Sequence, residues 1–203
     1  MAFAPNAAAI EGMSSASRRS IMEKPSYAVG DKWLYAWSSG DGQTGRRQWE
    51  IAEIGPEGRM LIRYGSGKTD IFDSAMNFIP DGNDPKPERT LKLVVYPLKV
   101  GDEWTFKREF ANPGLAETIT ARVAAYEPVT VPAGTFNCYR NEASSSQTNK
   151  QNKLNRKWTR WYCAEVNGYA KMIEETQTFS PYNPAATGTK VETFELMKFT
   201  PGK

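Results

Sequence analysis

The sequence contains no histidine. That absence removes the commonest general base, the imidazole-dependent serine and cysteine triads, and imidazole metal sites. Chemistry through carboxylates, lysine or tyrosine stays open, but no catalytic residue is assigned. No apolar run reaches the roughly 18 residues of a membrane-spanning helix. Clean helical spacing over any long stretch is also missing, so helix is expected to be short, with Asp73 to Phe78 and the N-terminal stretch as the candidates. A phosphate-binding loop is lacking too: Gly65-Ser66-Gly67-Lys68-Thr69 has neither the full spacing nor a following helix and reads as a hairpin turn. The net charge of +3 is too small to point to nucleic acid.

The stretch 1–25 has no adequate signal-peptide core, since Ala7-Ala8-Ala9-Ile10 is followed at once by Glu11. Its Ala, Ser and Pro content, with Arg18 and Arg19, reads as a mobile arm. For an exported protein the signal is then expected to be absent from this sequence. Residues 26–203 are expected to form one β-rich domain, with sub-units 26–80 and 90–203 as an alternative division.

What the chain has is aromatic side chains: six Trp, nine Tyr and nine Phe. They fall on alternating positions of short segments, the period of a strand with one buried face. Trp33, Tyr35 and Trp37 share one face, as do Trp49 and Ile51, then Met60, Ile62 and Tyr64. Ser39-Gly40-Asp41-Gly42 and Gly55-Pro56-Glu57-Gly58 mark turns between them. After the linker Pro80-Asp81-Gly82-Asn83-Asp84-Pro85-Lys86-Pro87 a second series begins. It runs through Leu91 to Tyr96, then Trp104, Phe106 and Phe110, then Ile119, Ala121 and Val123, and on through later segments to Phe199. The fold class is therefore all-β and antiparallel: a strongly curved sheet, a sandwich or an open barrel.

The two series start alike. Val29-Gly30-Asp31-Lys32-Trp33-Leu34-Tyr35 matches Val100-Gly101-Asp102-Glu103-Trp104-Thr105-Phe106, which predicts a reused strand-starting turn and a degenerate internal repeat.

Val131-Pro132-Ala133-Gly134-Thr135-Phe136, with Pro97-Leu98-Lys99-Val100-Gly101-Asp102-Glu103-Trp104 before it and Trp161-Tyr162 and Gly168-Tyr169 after it, resembles the Val-Pro-Ala-Gly-Thr-Phe signature of poorly characterised bacterial periplasmic proteins and lipoproteins. The likeness covers Tyr96 to Ile173. It implies an antiparallel, strongly curved sheet or open barrel in the cell envelope and no activity. The residues from Glu142 to Leu154 depart from it as a long polar insertion, expected to be a loop over 144–155.

Several side-chain groups are candidates for function, each beside a plainer reading. Cys138 and Cys163 flank the polar insertion; if their strands pair, the two oppose one another and form a disulfide, which favours an oxidising compartment, periplasmic or extracellular. Buried free thiols are the alternative. The run Lys150, Lys153, Arg156, Lys157, Trp158, Arg160, Trp161, Tyr162 mixes cations with rings, as single-strand nucleic-acid grooves do. In a strand, however, Trp158, Arg160 and Tyr162 face one way and Lys157 and Trp161 the other. Asp81, Asn83, Asp84 and Glu88 offer oxygen ligands for a hard cation, but in a spacing that also suits a solvated linker. Paired carboxylates for glycoside hydrolysis would have to come from Asp31, Asp102, Glu142, Glu165, Glu174 or Glu175. Tyr96, Tyr139, Trp158, Arg160 and Tyr182 are the candidate ligand-binding residues. No cofactor or metal is expected. The functional expectation is a non-catalytic envelope or secreted module for a lipidic ligand or a partner protein. A carbohydrate-binding module is the alternative, and a carboxylate-dependent hydrolase the third choice.

Overall fold

The computed structural model describes residues 21–80, 89–110, 116–148, 153–180 and 183–203. Eleven strands make one antiparallel sheet: β1 (Lys32–Ser39), β2 (Thr44–Ile54), β3 (Met60–Tyr64), β4 (Thr69–Phe72), β5 (Phe78–Ile79), β6 (Glu103–Glu109), β7 (Ala116–Val131), β8 (Gly134–Thr148), β9 (Lys153–Cys163), β10 (Gly168–Ser180) and β11 (Asn183–Thr200). Their order in space is β5-β4-β3-β2-β1-β11-β10-β9-β8-β7-β6. β1 to β5 therefore step outward from the middle, while β6 to β11 start at the far edge and step inward until β11 pairs with β1. The sheet is open, with β5 and β6 as its edges.

Both series begin with the same backbone device. Gly30 and Gly101 sit at φ +90° and +95°, where a Cβ is disfavoured. Asp31 and Asp102 donate their amides back to the carbonyls of Ala28 and Lys99, at 3.0 and 3.1 Å. Each turn is then pinned to the neighbouring strand by a pair of bonds: Gly30 and Asp31 to Ile51, and Gly101 and Asp102 to Val123. Two residues on, Trp33 is 1% exposed and donates to the Val166 carbonyl at 2.8 Å, and Trp104 is half-buried against both hydrophobic clusters. The Asp side chains differ: Asp31 also accepts from the amides of Ala28 and Gly202 and so ties the chain's end to the turn.

The sheet is strongly curved. Val129, Val131 and Cys138, at one end of the β7–β8 hairpin, share a core with Trp33, Tyr35, Ile51 and Leu196. At the hairpin's tip, the Ala133 amide donates to the Leu196 carbonyl of β11 at 2.9 Å, across two intervening strands. Pro132 lies just past the end of β7, Gly134 (φ +135°) opens β8, and Phe136 packs against the core. Behind the tip, Cys138 and Cys163 are joined by a disulfide with a Cα–Cα distance of 4.4 Å. That separation is the one expected for directly opposed residues at a non-hydrogen-bonded position of an antiparallel pair.

Three expectations are corrected. Leu91 to Tyr96 is not a strand but part of the connection between the two halves, with a single bridge from Leu91 to Phe78. Its buried Leu93 and Val94, followed by Leu98, fill the inside of the curve. Asn77 fixes it there with a reciprocal pair, Asn77 Nδ2 to the Val94 carbonyl (2.8 Å) and the Val94 amide to Asn77 Oδ1 (2.9 Å). The expected helix from Asp73 to Phe78 is a turn over Asp73 to Asn77, with Phe78 already in β5, because the Asp73 carboxylate captures the amides of Ala75 and Asn77 and offers the backbone a competing local structure. The polar stretch 144–155 is mostly paired strand, since β8 runs to Thr148 and β9 begins at Lys153. Its inward residues Ser145 and Gln147 are buried although polar, which hides the alternation from a hydrophobicity reading. Of the expected arm, 1–20 lies outside the described residues, whereas Met22 is buried and pairs with Leu98.

Candidate functional site

The inner face of the curve is not filled along its whole length. Beyond the plug made by Leu93, Val94 and Leu98 lies a cleft of about 590 Å³, a size suited to a small organic ligand. Strand pairing builds it in rows. One row runs Asn141, Arg160, Met172, Phe194 across β8, β9, β10 and β11; the next runs Ala143, Trp158, Glu174, Glu192. Trp49 of β2 closes against Tyr169 and Phe194, at ring distances of 5.3 and 6.2 Å, and Phe72, Phe78 and Leu91 form the facing wall. The aromatic floor continues inward through Tyr35 and Tyr162, both packed on Tyr169. Burial pushes the Tyr35, Tyr96 and Tyr169 hydroxyls well above the usual phenol value, so they remain protonated donors.

One end of the cleft is charged. Glu117 is fully buried and holds two guanidinium groups, Arg108 at 3.3 Å and Arg156 at 3.4 Å, while Ser145 Oγ donates to its carboxylate. Desolvation pulls Arg108 below the ordinary arginine value, partly offset by Glu117 and reinforced by Arg156. Lys190 and Glu192 pair at 2.8 Å, and Trp37 Nε1 donates to Glu192 at 3.0 Å. Glu174 and Glu192 are cross-strand neighbours, an unfavourable like-charge placement. Arg160 lies over the Tyr169 ring at 5.5 Å, and its Nε is buried without a hydrogen-bond acceptor among the described residues.

Of the residues singled out by sequence, Trp158 and Arg160 meet in this cleft. Trp158 is 3% exposed, so its ring is a wall rather than a surface platform. Tyr96 lies deeper, edge-on to Tyr162 at 6.4 Å, and Tyr139 packs against Tyr126 at 4.7 Å. Tyr182 and the Asp81–Glu88 oxygen cluster lie outside the described residues. The cation and aromatic run divides as its alternation predicts: Trp161 faces away from the cleft, its Nε1 donating to Glu127 at 2.8 Å. Glycines 65 and 67 form the β3–β4 hairpin, with the Gly67 amide bonded to the Tyr64 carbonyl. Of the acids considered for hydrolysis only Glu174 lines the cleft; Asp31 is bound into its turn, and Glu142 pairs with Arg122 and Arg140. Sequence reasoning missed Arg108, Glu117, Met172 and Phe194. The available signal was phase: Glu117 continues the buried series Ile119, Ala121, Val123, and Arg108 continues Trp104, Phe106.

No family model matches the chain, and no curated protein matches it. Among solved structures it is similar to a Parabacteroides distasonis protein assigned only provisionally as a lipoprotein (15% identity, 88% of this chain and 99% of that one, TM-score 0.44). It is also similar to a Bacteroides fragilis protein with a YmcC-like fold (14%, 89% and 99%, TM-score 0.44) and to the hypothetical lipoprotein YmcC of Escherichia coli (12%, 85% and 86%, TM-score 0.46). Likenesses this distant carry nothing about ligand, activity or location.

Proposed function

We propose that this chain is a non-catalytic binding protein of the bacterial envelope or the extracellular space, and that its curved sheet holds a lipidic ligand in the inner cleft. The observation that carries the reading is the cleft itself: about 590 Å³ of space beside Trp49, Phe78, Trp158, Met172 and Phe194, on the face where packing elsewhere is dense. Apolar and aromatic side chains make up the larger share of the lining, beside six charged ones, which suits a molecule with a hydrocarbon body and a polar end. The Cys138–Cys163 disulfide supports an oxidising compartment. A glycan-binding reading finds less support, because Tyr126 is the one ring among the described residues that is counted as exposed.

The test uses the tryptophans as reporters. Trp49 and Trp158 line the cleft, so titration with a dibrominated fatty acyl compound should quench their fluorescence saturably. A Met172→Trp variant, which fills the floor, should weaken that quenching. Unsaturable quenching, equal in both proteins, would refute occupancy of the cleft.

A further inference from the structure

Arg160 is a half-buried charge held by phenol rings and a nearby carboxylate rather than by an ion pair. It stands on β9 between Trp158 and Tyr162, in phase with the buried face, and its side chain lines the cleft floor. The other cations there have carboxylate partners: Arg108 and Arg156 share Glu117, and Lys190 has Glu192. Arg160 forms no such ion pair among the described residues; burial opposes its charge, but the Tyr162 and Tyr169 phenols, a hydrogen bond with Tyr162 and the Glu174 carboxylate outweigh that and hold it above the ordinary arginine value. An incompletely paired guanidinium in a partly dry site is costly, and that cost falls when an anion supplies the missing acceptors.

Its neighbours are donors as well. Arg160 Nε and the Asn141 amide nitrogen are each buried without a hydrogen-bond partner among the described residues, and the Tyr162 hydroxyl has only Arg160 beside it. Asn141 is the cross-strand partner of Arg160 on β8, and Tyr162 is two residues along on the same face. Asn141 is 2% exposed and Tyr162 1%. Arg160 is the one of these groups that lines the cleft, and a cleft-facing guanidinium with donor capacity to spare is a receptor for oxygen acceptors with negative charge. Met172 and Phe194 continue the same row, so an anion at Arg160 would leave an attached chain lying along apolar wall.

We infer that the cleft ligand is an acidic amphiphile, and that Arg160 receives its carboxylate or phosphate head. This rests on the proposed occupancy of the cleft, and the experiment separates the two. Dibromostearate and the matching dibromostearyl alcohol are titrated into the intact protein at neutral pH. A charge-assisted contact predicts that the acid binds about ten- to a hundredfold more tightly than the alcohol. In Arg160→Met the acid should fall to the alcohol's affinity, with the alcohol unchanged; Arg160→Lys should keep part of the preference. Equal affinities for acid and alcohol in the unmodified protein would overturn the head-group assignment while leaving the cleft reading intact. No saturable quenching by either compound would defeat both. A long-chain alkyl phosphate run in parallel tells a phosphate head from a carboxylate: the tighter of the two acids names the head, and a preference for neither over the alcohol refutes the assignment. Melting curves guard against misfolding, since loss of an incompletely paired charge to Met should leave the melting temperature level or raised.

Discussion

Glu117→Gln is the sharpest probe of how the cleft's charged end is built. The carboxylate has no exposed surface, and its side chain faces Arg108, 8% exposed, and Arg156, 26% exposed. The amide keeps the size of the side chain and an oxygen for Ser145 Oγ, so packing is conserved and only the charge is lost. What remains are two guanidinium groups facing one another without a counter-charge. Breaking a buried pair from one side costs about 3–5 kcal/mol. Arg156 is a quarter exposed and water screens it, so the lower part of that range applies, about 3 kcal/mol. For a domain of this size, that lowers the melting temperature by about 6–12 °C. Adding Arg108→Met removes the more buried of the stranded charges and replaces it with an apolar chain beside Phe110, so the double variant should regain most of the loss. Calorimetry on the four proteins of the cycle reads the coupling directly. If Glu117→Gln costs under about 1 kcal/mol, or if the double variant is no better than the single one, these charges are solvated and the dry, ordered cleft end described here is wrong.

The disulfide closes a loop across a sequence separation of 25, and the chain-entropy relation gives it about 3.5 kcal/mol; Cys138→Ala with Cys163→Ala should lower the melting temperature accordingly, and thiol titration of the denatured protein should find no free thiol in the unmodified chain. Gly30→Ala and Gly101→Ala place a Cβ at φ +90° and +95°, each costing about 1–2 kcal/mol; equal shifts in their urea midpoints would establish the two turns as one device, and a neutral Gly101→Ala would contradict it. Tyr35, Tyr96 and Tyr169 are pushed up by burial from an ordinary value of 10.0. Stability should therefore be full below that value and be lost as pH rises beyond it, where the unfolded phenols ionise and the folded ones do not. Absorbance titration should show those rings ionising together with unfolding, after the exposed ones.

Much of this architecture is legible from alternation alone. Trp33 with Tyr35, Met60 with Ile62, and Ile119 with Ala121 and Val123 are all buried as their period of two requires. The Gly-Asp turns were readable because the same backbone geometry demands the same two residue types. What alternation cannot supply is the partner of a strand far along the chain. Nothing local says that β11 pairs with β1, or that Leu91 to Leu98 leaves the sheet to fill its curve, because apolar residues in a plug and in a strand look alike. Polar strands mislead in the opposite direction. Ser145 and Gln147 point inward, yet their residue types read as loop until Glu117 and the row beside them are seen.

The same residues explain why the functional end was the harder part to read. A charged side chain in phase with a buried face is an expensive choice that a purely structural sheet would avoid with a Val or Thr at no loss of strand propensity. Arg108, Glu117, Arg156 and Arg160 all make that choice; the three arginines line the one cleft, and Glu117 is buried behind two of them. Glu117 compensates two of them. Arg160 is left over, two residues from a buried Trp on one side and from a buried Tyr on the other. Within a strand it could face out of the cleft only if the register of β9 slipped by one, which would carry Trp158 and Tyr162 into water with it. Packing thus forces Arg160 inward, where among the described residues it forms no ion pair and Glu174 acts on it only from a distance, and an acidic ligand is the component that would complete the pair.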